Sequence, residues 1–203
     1  MRMILTSKGF GNDIATEKIR NNLNINIDDA KVLFVPTALG GLYSYDKYLP
    51  EIIKFGFKES NIIIFNEKES SKYENLDIDV IYVCGGNTFT LLKLIKECGF
   101  DKALKNYIQK GVIYIGRSAG THLVTKNIEH ILNFDDNYIG LTDYEGIGIF
   151  DGVIFCHYTE EREKFYKETK NNKKYNTYKI TDEEIIICTE KIIKKWQLEK
   201  QWF

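Results

Sequence analysis

Five short apolar segments recur along the first 116 residues, and they constrain the fold more than any other feature of the sequence. Each is rich in Val, Ile, Leu, Phe or Tyr, and most are bounded by Gly, Pro, Asn or Asp, which is typical of buried strands. The segments are RMILTS (2–7), KVLFVP (31–36), NIIIF (61–65), VIYVCG (80–85) and GVIYIG (111–116). Because few charged residues interrupt them, we expect strands that are covered on both faces.

Longer segments with helical spacing separate these runs. The clearest are NDIATEKIRNNL (12–23), YSYDKYLPEIIKFGF (43–57) and NTFTLLKLIKECGF (87–100). Asn12 or Asp13 is a candidate N-cap for the first, and Gly99 is a natural end for the third. Strands that alternate with helices predict βαβ units and an α/β fold with a mostly parallel central sheet flanked by helices on both faces.

The final third of the chain predicts a different arrangement. The segments GIGIFDGVIFCHY (146–158) and EEIIICTEKIIKKWQLEKQWF (183–203) are interpreted as further strands with an antiparallel edge, and EREKFYKE (161–168) as a helix. No linker or repeat is visible, so we expect one domain over residues 1–203.

Composition excludes several classes of function. The net charge of −1, with Lys and Arg scattered among acids, gives no basic face for nucleic acid. No stretch approaches the roughly 20 apolar residues of a membrane span, and the N-terminus lacks the long apolar region of a signal peptide. We therefore expect a cytoplasmic protein that contacts neither membranes nor nucleic acid.

The cysteines and histidines argue against a metal centre. The four cysteines, Cys84, Cys98, Cys156 and Cys188, are far apart and form no C-x-x-C pair, and there are only three histidines. Metal sites usually need such ligands at short spacing. We expect reduced thiols, no metal and no cofactor.

The most informative motif is GRSAG (116–120), which follows the apolar run ending at Gly116. A Gly-x-Ser-x-Gly sequence between a strand and a helix is typical of a nucleophile elbow, in which a strained turn exposes the serine hydroxyl. Ser118 is then the candidate nucleophile, and the N–H of Ala119 is a candidate oxyanion donor. The simpler interpretation is that Ser118 only caps the following helix.

A second glycine turn, CGGNTF (84–89), follows the preceding apolar run. Adjacent glycines allow close backbone approach, so the N–H of Gly86 is a candidate for the second oxyanion donor. Alone, the motif would equally suit an ordinary turn with Asn87 or Thr88 as the N-cap of a helix.

A serine nucleophile needs a base, and His157 is the best candidate. It ends the apolar run GVIFCH and thus has the same strand-end position as the two glycine turns. The acidic partner is less determined. Glu190 follows the run EIIICT, and Asp135 and Asp136 lie between the elbow and the histidine; we favour Glu190 and keep the aspartates as alternatives.

Taken together, these blocks resemble the peptidase E family of serine peptidases, whose members include aspartyl dipeptidase and, more distantly, cyanophycinase. GGNTFTLLK resembles its glycine-rich block, GVIYIGRSAG its nucleophile strand and elbow, and GIGIFDGVIFCHYT the strand pair that ends in its catalytic histidine. The blocks occur in the family's order across roughly residues 1–190.

The resemblance implies a fold related to class I glutamine amidotransferases (flavodoxin-like), with serine in place of their cysteine. It implies a Ser-His-acid triad on Ser118 and His157, with a C-terminal glutamate matching Glu190 or an aspartate after the elbow. Aspartyl dipeptidases hold the substrate's aspartate with an arginine beyond the histidine, and Arg162 is the nearest match. The implied protein is a metal-free serine peptidase of short peptides, including dipeptides with N-terminal Asp, acting as a monomer or homodimer.

Two other functions stay open. An α/β-hydrolase esterase shares the elbow, but it places its histidine far downstream, whereas His157 follows Ser118 by 39 residues. A non-catalytic binding or regulatory domain on the same scaffold is favoured by Arg117 beside the serine and by the short C-terminus.

Overall fold

The computed structural model describes residues 2–39, 46 and 48–189, and the backbone of 192–196. The strands are β1 (Arg2–Thr6), β2 (Val32–Val35), β3 (Ile62–Ile64), β4 (Val80–Val83), β5 (Ile113–Arg117), β6 (Val153–Phe155), β7 (Thr177–Lys179), β8 (Ile185–Thr189) and β9 (Ile192–Trp196). The α-helices are α1 (Asp13–Leu23), α2 (Leu49–Phe55), α3 (Thr88–Glu97), α4 (Phe100–Gln109), α5 (Ala119–Leu123) and α6 (Glu163–Asn171).

Seven strands form the central sheet, in the order β3-β2-β4-β5-β1-β8-β9. The first five are parallel to one another, whereas β8 is antiparallel to β1 and β9 is antiparallel to β8. The predicted mostly parallel sheet with an antiparallel edge is therefore confirmed, and each of the five apolar runs contains one parallel strand.

The central strands are covered on both faces. All four residues of β2, Val32 to Val35, have no exposed surface, and the same is true of β4. Because successive side chains of a strand point to opposite faces, full burial of consecutive residues requires packing on both sides of the sheet. The apolar runs of the sequence are continuous because these strands are packed on both faces.

The helices begin and end where local chemistry favours it. The side chain of Asn12 accepts a hydrogen bond from the N–H of Ala15 (3.0 Å), so it is the N-cap of α1. Asn87 caps α3 in the same way, through the N–H of Thr90 (2.9 Å). Gly99, with φ of 75°, separates α3 from α4, a helix that the sequence interpretation did not include. Part of the segment predicted at 43–57 lies outside the described residues.

The prediction of strands across residues 146–158 is correct only in part. Val153–Phe155 is a strand, but it pairs in parallel with β7 in a separate two-stranded sheet. Residues 146–150 form no strand, because their N–H groups bond to the backbone that follows α5. Gly148, for example, donates to the carbonyl of Thr125, and Phe150 donates to that of Val124.

The sheet register brings several segment ends to one edge. Thr6 at the end of β1 pairs with Arg117 at the end of β5, and it also pairs with Ile185 at the start of β8. The loop before β8 therefore lies at the carboxyl edge of the parallel strands, where α/β sheets collect binding sites. No helix among the described residues is long and apolar enough to cross a membrane.

Candidate active site

Ser118 lies in a strained turn between β5 and α5. Its backbone has φ of 48° and ψ of −106°, which only a strongly constrained non-glycine residue adopts. A Cβ atom on Gly120 would lie 2.3 Å from the carbonyl oxygen of Val83, and one on Gly116 would lie 2.8 Å from the carbonyl oxygen of Gly120. Both glycines are therefore required by close packing, and the predicted elbow geometry is present.

His157 reaches the serine from the small sheet. Its Nε2 atom lies 3.0 Å from Oγ of Ser118, within hydrogen-bonding distance. His157 also has a positive φ, 51°, and lies two residues after the end of β6. The N–H of His157 donates to Oγ of buried Ser7 (2.9 Å), which holds the backbone in this conformation. The structure thus brings the predicted base to the predicted nucleophile.

The carboxylate beside the imidazole belongs to Asp182. Its Oδ1 atom lies 2.6 Å from Nδ1 of His157, and its Oδ2 atom lies 3.2 Å from Nζ of Lys8. Partial burial raises the pKa of Asp182, but the hydrogen bonds and electrostatic interactions with His157 and Lys8 outweigh burial and hold the pKa below its usual value. Asp182 therefore stays ionised at neutral pH and can orient the imidazole.

The sequence interpretation missed Asp182, because TDEE (181–184) resembles plain surface charge. The signal that could have found Asp182 is its place just before β8. Because β8 runs antiparallel to β1, the residues that precede β8 lie at the same edge of the sheet as the carboxyl ends of the parallel strands. Glu190, the favoured candidate, lies outside the described residues. Thr189, the end of β8, pairs with Arg2 at the opposite edge of the sheet from the elbow.

The alternative aspartates lie at the start of α3. Oδ2 of Asp135 accepts a hydrogen bond from the N–H of Thr88 (3.0 Å), and the carbonyl of Asp136 accepts one from the side chain of Asn87 (2.8 Å). A carboxylate at a helix N-terminus satisfies a free N–H group and interacts favourably with the helix dipole. Asp135 thus fixes the glycine turn that leads into α3.

The Gly85-Gly86 turn packs against the nucleophile. A Cβ atom on Gly85 would lie 3.2 Å from Cβ of Ser118. Gly86 has φ of 146°, and a Cβ atom there would lie 2.1 Å from the carbonyl oxygen of Ala38. Only glycine fits this position, which keeps the backbone beside Ser118. The oxyanion roles of Gly86 and Ala119 remain predictions.

The other two histidines are buried and neutral. Burial, and to a lesser extent the neighbouring His130, His157 and Arg162, lowers the pKa of His122 well below its usual value. Burial also lowers the pKa of His130 to about 4, although its Nε2 atom bonds to the carbonyl of Ile154 (2.9 Å). Neither ring is placed to act as the base for Ser118.

Two arginines border this region with different contacts. Nη1 of Arg117 lies 2.5 Å from Oε2 of Glu51, and the guanidinium stacks over the ring of Tyr48. Arg117 is thus mostly buried between β5 and α2 rather than free in solvent. Arg162 donates to the carbonyl of Cys156 (2.7 Å), and its guanidinium lies over the ring of Phe134.

A cleft of about 690 Å³ opens beside His157 and Asp182. Charged side chains of both signs line it, with Lys8 and Arg162 on one hand and Glu161, Asp182 and Glu183 on the other. The volume suits a ligand of a few residues.

All four cysteines are free thiols, and the described residues contain no group of three or more His, Cys, Asp or Glu that could hold a metal ion.

A partly buried serine on a strand–helix elbow, an imidazole in hydrogen-bonding distance and a carboxylate behind it define the arrangement found in serine hydrolases. Comparison with known families is more specific. The model of peptidase family S51 matches residues 3–195, and the chain belongs to this family.

Individual relatives agree with this assignment. The uncharacterised peptidase Lmo0363 of Listeria monocytogenes is 40% identical over 82 residues, which are 39% of this chain and 40% of that protein. A Drosophila melanogaster protein named "Probable alpha-aspartyl dipeptidase" is 33% identical over 99 residues, 48% of this chain and 40% of that one. These matched segments therefore span about two fifths of the length of either relative.

A crystal structure from Listeria monocytogenes, provisionally assigned to peptidase E, matches over 98% of both chains. Its TM-score is 0.80 and its sequence identity is 26%. The mostly parallel sheet of this chain is thus the class I glutamine amidotransferase-like fold of the family, as the resemblance to peptidase E implies.

Proposed function

We propose that this protein is a serine peptidase that hydrolyses dipeptides and other short peptides through an acyl-enzyme on Ser118. The observation that carries the proposal is the continuous chain of contacts from Ser118 Oγ to His157 Nε2 and from His157 Nδ1 to Asp182. Membership of a peptidase family supports the choice of peptides as substrates.

In the first half of the reaction, Oγ of Ser118 attacks the scissile carbonyl carbon while Nε2 of His157 takes the hydroxyl proton. Asp182 stabilises the imidazolium that forms and keeps Nε2 directed at the serine. The N–H groups of Gly86 and Ala119 would bind the negatively charged oxygen of the tetrahedral intermediate.

In the second half, the imidazolium of His157 protonates the leaving amine, and the first product departs. A water molecule then attacks the acyl carbon while His157 acts again as base, so that the acid product is released and Ser118 regains its proton. No step requires a metal or a cofactor.

The charges of the cleft support a small zwitterionic substrate. A dipeptide carries an ammonium group at one end and a carboxylate at the other, and the cleft offers Glu161 and Glu183 to the first and Arg162 to the second. Arg162 is also our candidate for binding an acidic side chain, a preference suggested by the name of the Drosophila relative. We keep N-terminal Asp as the proposed preference.

The test is hydrolysis of a panel of dipeptides and aminoacyl p-nitroanilides, Asp-leading and others, by wild type and Ser118→Ala. We expect cleavage that depends on Ser118 and is fastest for the Asp-leading substrates. Serine-dependent cleavage of other substrates alone would retain the mechanism and reject the preference. Wild-type turnover by Ser118→Ala would reject the mechanism.

The same panel separates the alternative functions. Cleavage of acyl esters without peptide cleavage would favour an esterase, whereas no cleavage and no labelling by a fluorophosphonate probe would favour a binding domain.

The free thiols support a reducing, cytoplasmic location. Whether the protein acts as a monomer or a homodimer stays open to a measurement of its mass in solution.

A further inference from the structure

Three consecutive residues at the end of β1, Thr6 to Lys8, each contact a different member of the proposed triad. The carbonyl of Thr6 accepts the N–H of Ser118 (2.9 Å), and Oγ of Ser7 accepts the N–H of His157 (2.9 Å). Nζ of Lys8 pairs with Asp182 at 3.2 Å. One short segment at the end of the strand thus touches the nucleophile, the base and the acid, which otherwise come from β5, β6 and the loop before β8.

Ser7 is fixed in the interior. It has no exposed surface, and its hydroxyl donates to the carbonyl of Ile180 (3.2 Å) while it accepts from His157. Ile180 lies two residues before Asp182, so one hydroxyl ties the base to the segment that bears the acid. Because His157 has a positive φ, loss of this bond would release a backbone that is costly to hold.

Lys8 contacts the carboxylate oxygen that the imidazole does not use. Oδ1 of Asp182 faces His157, and Oδ2 faces Lys8. A cation on the second oxygen restrains the carboxylate and withdraws part of the negative charge that would stabilise an imidazolium. The side chain of Lys8 is 45% exposed, so water and salt weaken its interaction with Asp182 without abolishing it.

We propose that Ser7 and Lys8 are positioning residues of the active site, Ser7 through the backbone of His157 and Lys8 through the charge and orientation of Asp182. This inference rests on the proposed function for its catalytic consequence, but the contacts can be tested without turnover.

Other charged or titratable groups also face His157 and Asp182, and they set the background against which Lys8 acts. Those that line the cleft are Tyr158, Glu161, Arg162 and Glu183, and the buried ring of His122 lies behind. Arg162 and Lys8 are positive, and Glu161 and Glu183 are negative, so their effects partly cancel. Lys8 is distinguished by its direct pairing with Asp182.

The experiment follows the His157 ring by NMR as a function of pH, with His157→Gln to assign its signal. We expect Lys8→Met to move the titration midpoint of this ring to higher pH by about half a unit, because a nearby positive charge is removed. Lys8→Arg should restore the wild-type midpoint, and added salt should shrink the difference between Lys8→Met and wild type. The matched control is Lys31→Met, which removes an exposed lysine paired with Asp77 (2.6 Å) far along the sheet.

The catalytic consequence is read from the rate at which a fluorophosphonate labels Ser118 across the same pH range. Lys8→Met should shift the acid limb of that profile by the same amount. Ser7→Ala should slow labelling about tenfold at all pH values without moving the limb, since it alters position and not charge.

An unmoved or lowered midpoint in Lys8→Met would overturn the role of Lys8, and wild-type labelling by folded Ser7→Ala would overturn that of Ser7. Where Lys8 binds substrate instead, KM for dipeptides would rise in Lys8→Met with an unmoved midpoint. A wild type that neither cleaves peptides nor reacts with the probe would reject the proposed function and the positioning role of Ser7, while the NMR titration would still decide the electrostatic role of Lys8.

Discussion

Nε2 of His157 lies 3.0 Å from Oγ of Ser118, although the two residues are 39 positions apart and follow strands of different sheets. Both have positive φ angles, 51° and 48°. Non-glycine residues adopt positive φ uncommonly, and backbone strain of this kind concentrates at functional sites. The contact between Ser118 and His157 is therefore a product of the tertiary fold, which holds the backbone of each residue in an unusual conformation.

The identity of the acid is tested by Asp182→Asn and Glu190→Gln. We expect Asp182→Asn to lower kcat by about 10³- to 10⁴-fold, because an amide no longer stabilises the imidazolium or fixes its tautomer. Glu190→Gln should retain kcat within about threefold, because Asp182 already supplies the carboxylate that contacts the imidazole. Steady-state hydrolysis of a cleaved dipeptide measures both, and the reverse ranking would return the role to Glu190.

The glycine turn is tested by Gly86→Ala against Gly111→Ala. Both positions have positive φ, but a Cβ atom at Gly86 would collide with the carbonyl oxygen of Ala38, whereas a Cβ atom at Gly111 would meet nothing within 4 Å. Gly86→Ala should lose at least about 100-fold in kcat through displacement of an oxyanion donor. Gly111→Ala should cost only about 1 kcal/mol of stability through strain. Equal kcat in the two variants would remove Gly86 from the site.

Stability should fall with acid in a defined window. His130 has a folded pKa of about 4 because it is buried neutral, so the unfolded chain binds a proton that the folded chain does not between pH 6.5 and 4. The contribution of His130 to the free energy of unfolding is fully present above pH 6.5 and decreases by about 3 kcal/mol as pH falls to 4. Buried His122, whose pKa is also lowered, acts in the same direction.

Urea unfolding at pH 7.5, 6 and 5 measures this dependence. The variant His130→Gln should be less stable than wild type at pH 7.5 but show a smaller decrease toward pH 5. A wild-type free energy of unfolding that stays constant from pH 7.5 to 5 would contradict the buried, neutral assignment.

Substrate preference is tested by Arg162→Met. Loss of a charged hydrogen bond to an acidic side chain should raise KM for an Asp-leading dipeptide by roughly tenfold or more. Turnover of a neutral-leading dipeptide provides the internal control, since Arg162 also holds the carbonyl of Cys156 next to the base. An equal loss on both substrates would show that Arg162 supports the structure rather than selects the substrate.

The sequence predicted those features whose signals are local. The five parallel strands, the elbow at Ser118 and the strand-end place of His157 all follow from apolar runs and from the residues that end them. The position of Asp182 beside His157 could not be predicted in this way. It depends on β8 lying antiparallel beside β1, which is a pairing between residues about 180 positions apart. The part of the predicted strands that covers residues 146–150 was wrong for a related reason: N–H groups of this segment bond to backbone carbonyls at and after the end of α5 instead of to a strand.

The most direct test of the account is the mass of the protein after reaction with a fluorophosphonate, with the modified residue located by peptide mapping. We predict one adduct per chain, on Ser118, formed at a rate that falls by at least about 10³-fold in Asp182→Asn and is unchanged in Glu190→Gln. An adduct elsewhere, or no adduct on folded wild-type protein, would contradict the claim that Ser118, His157 and Asp182 form a working triad.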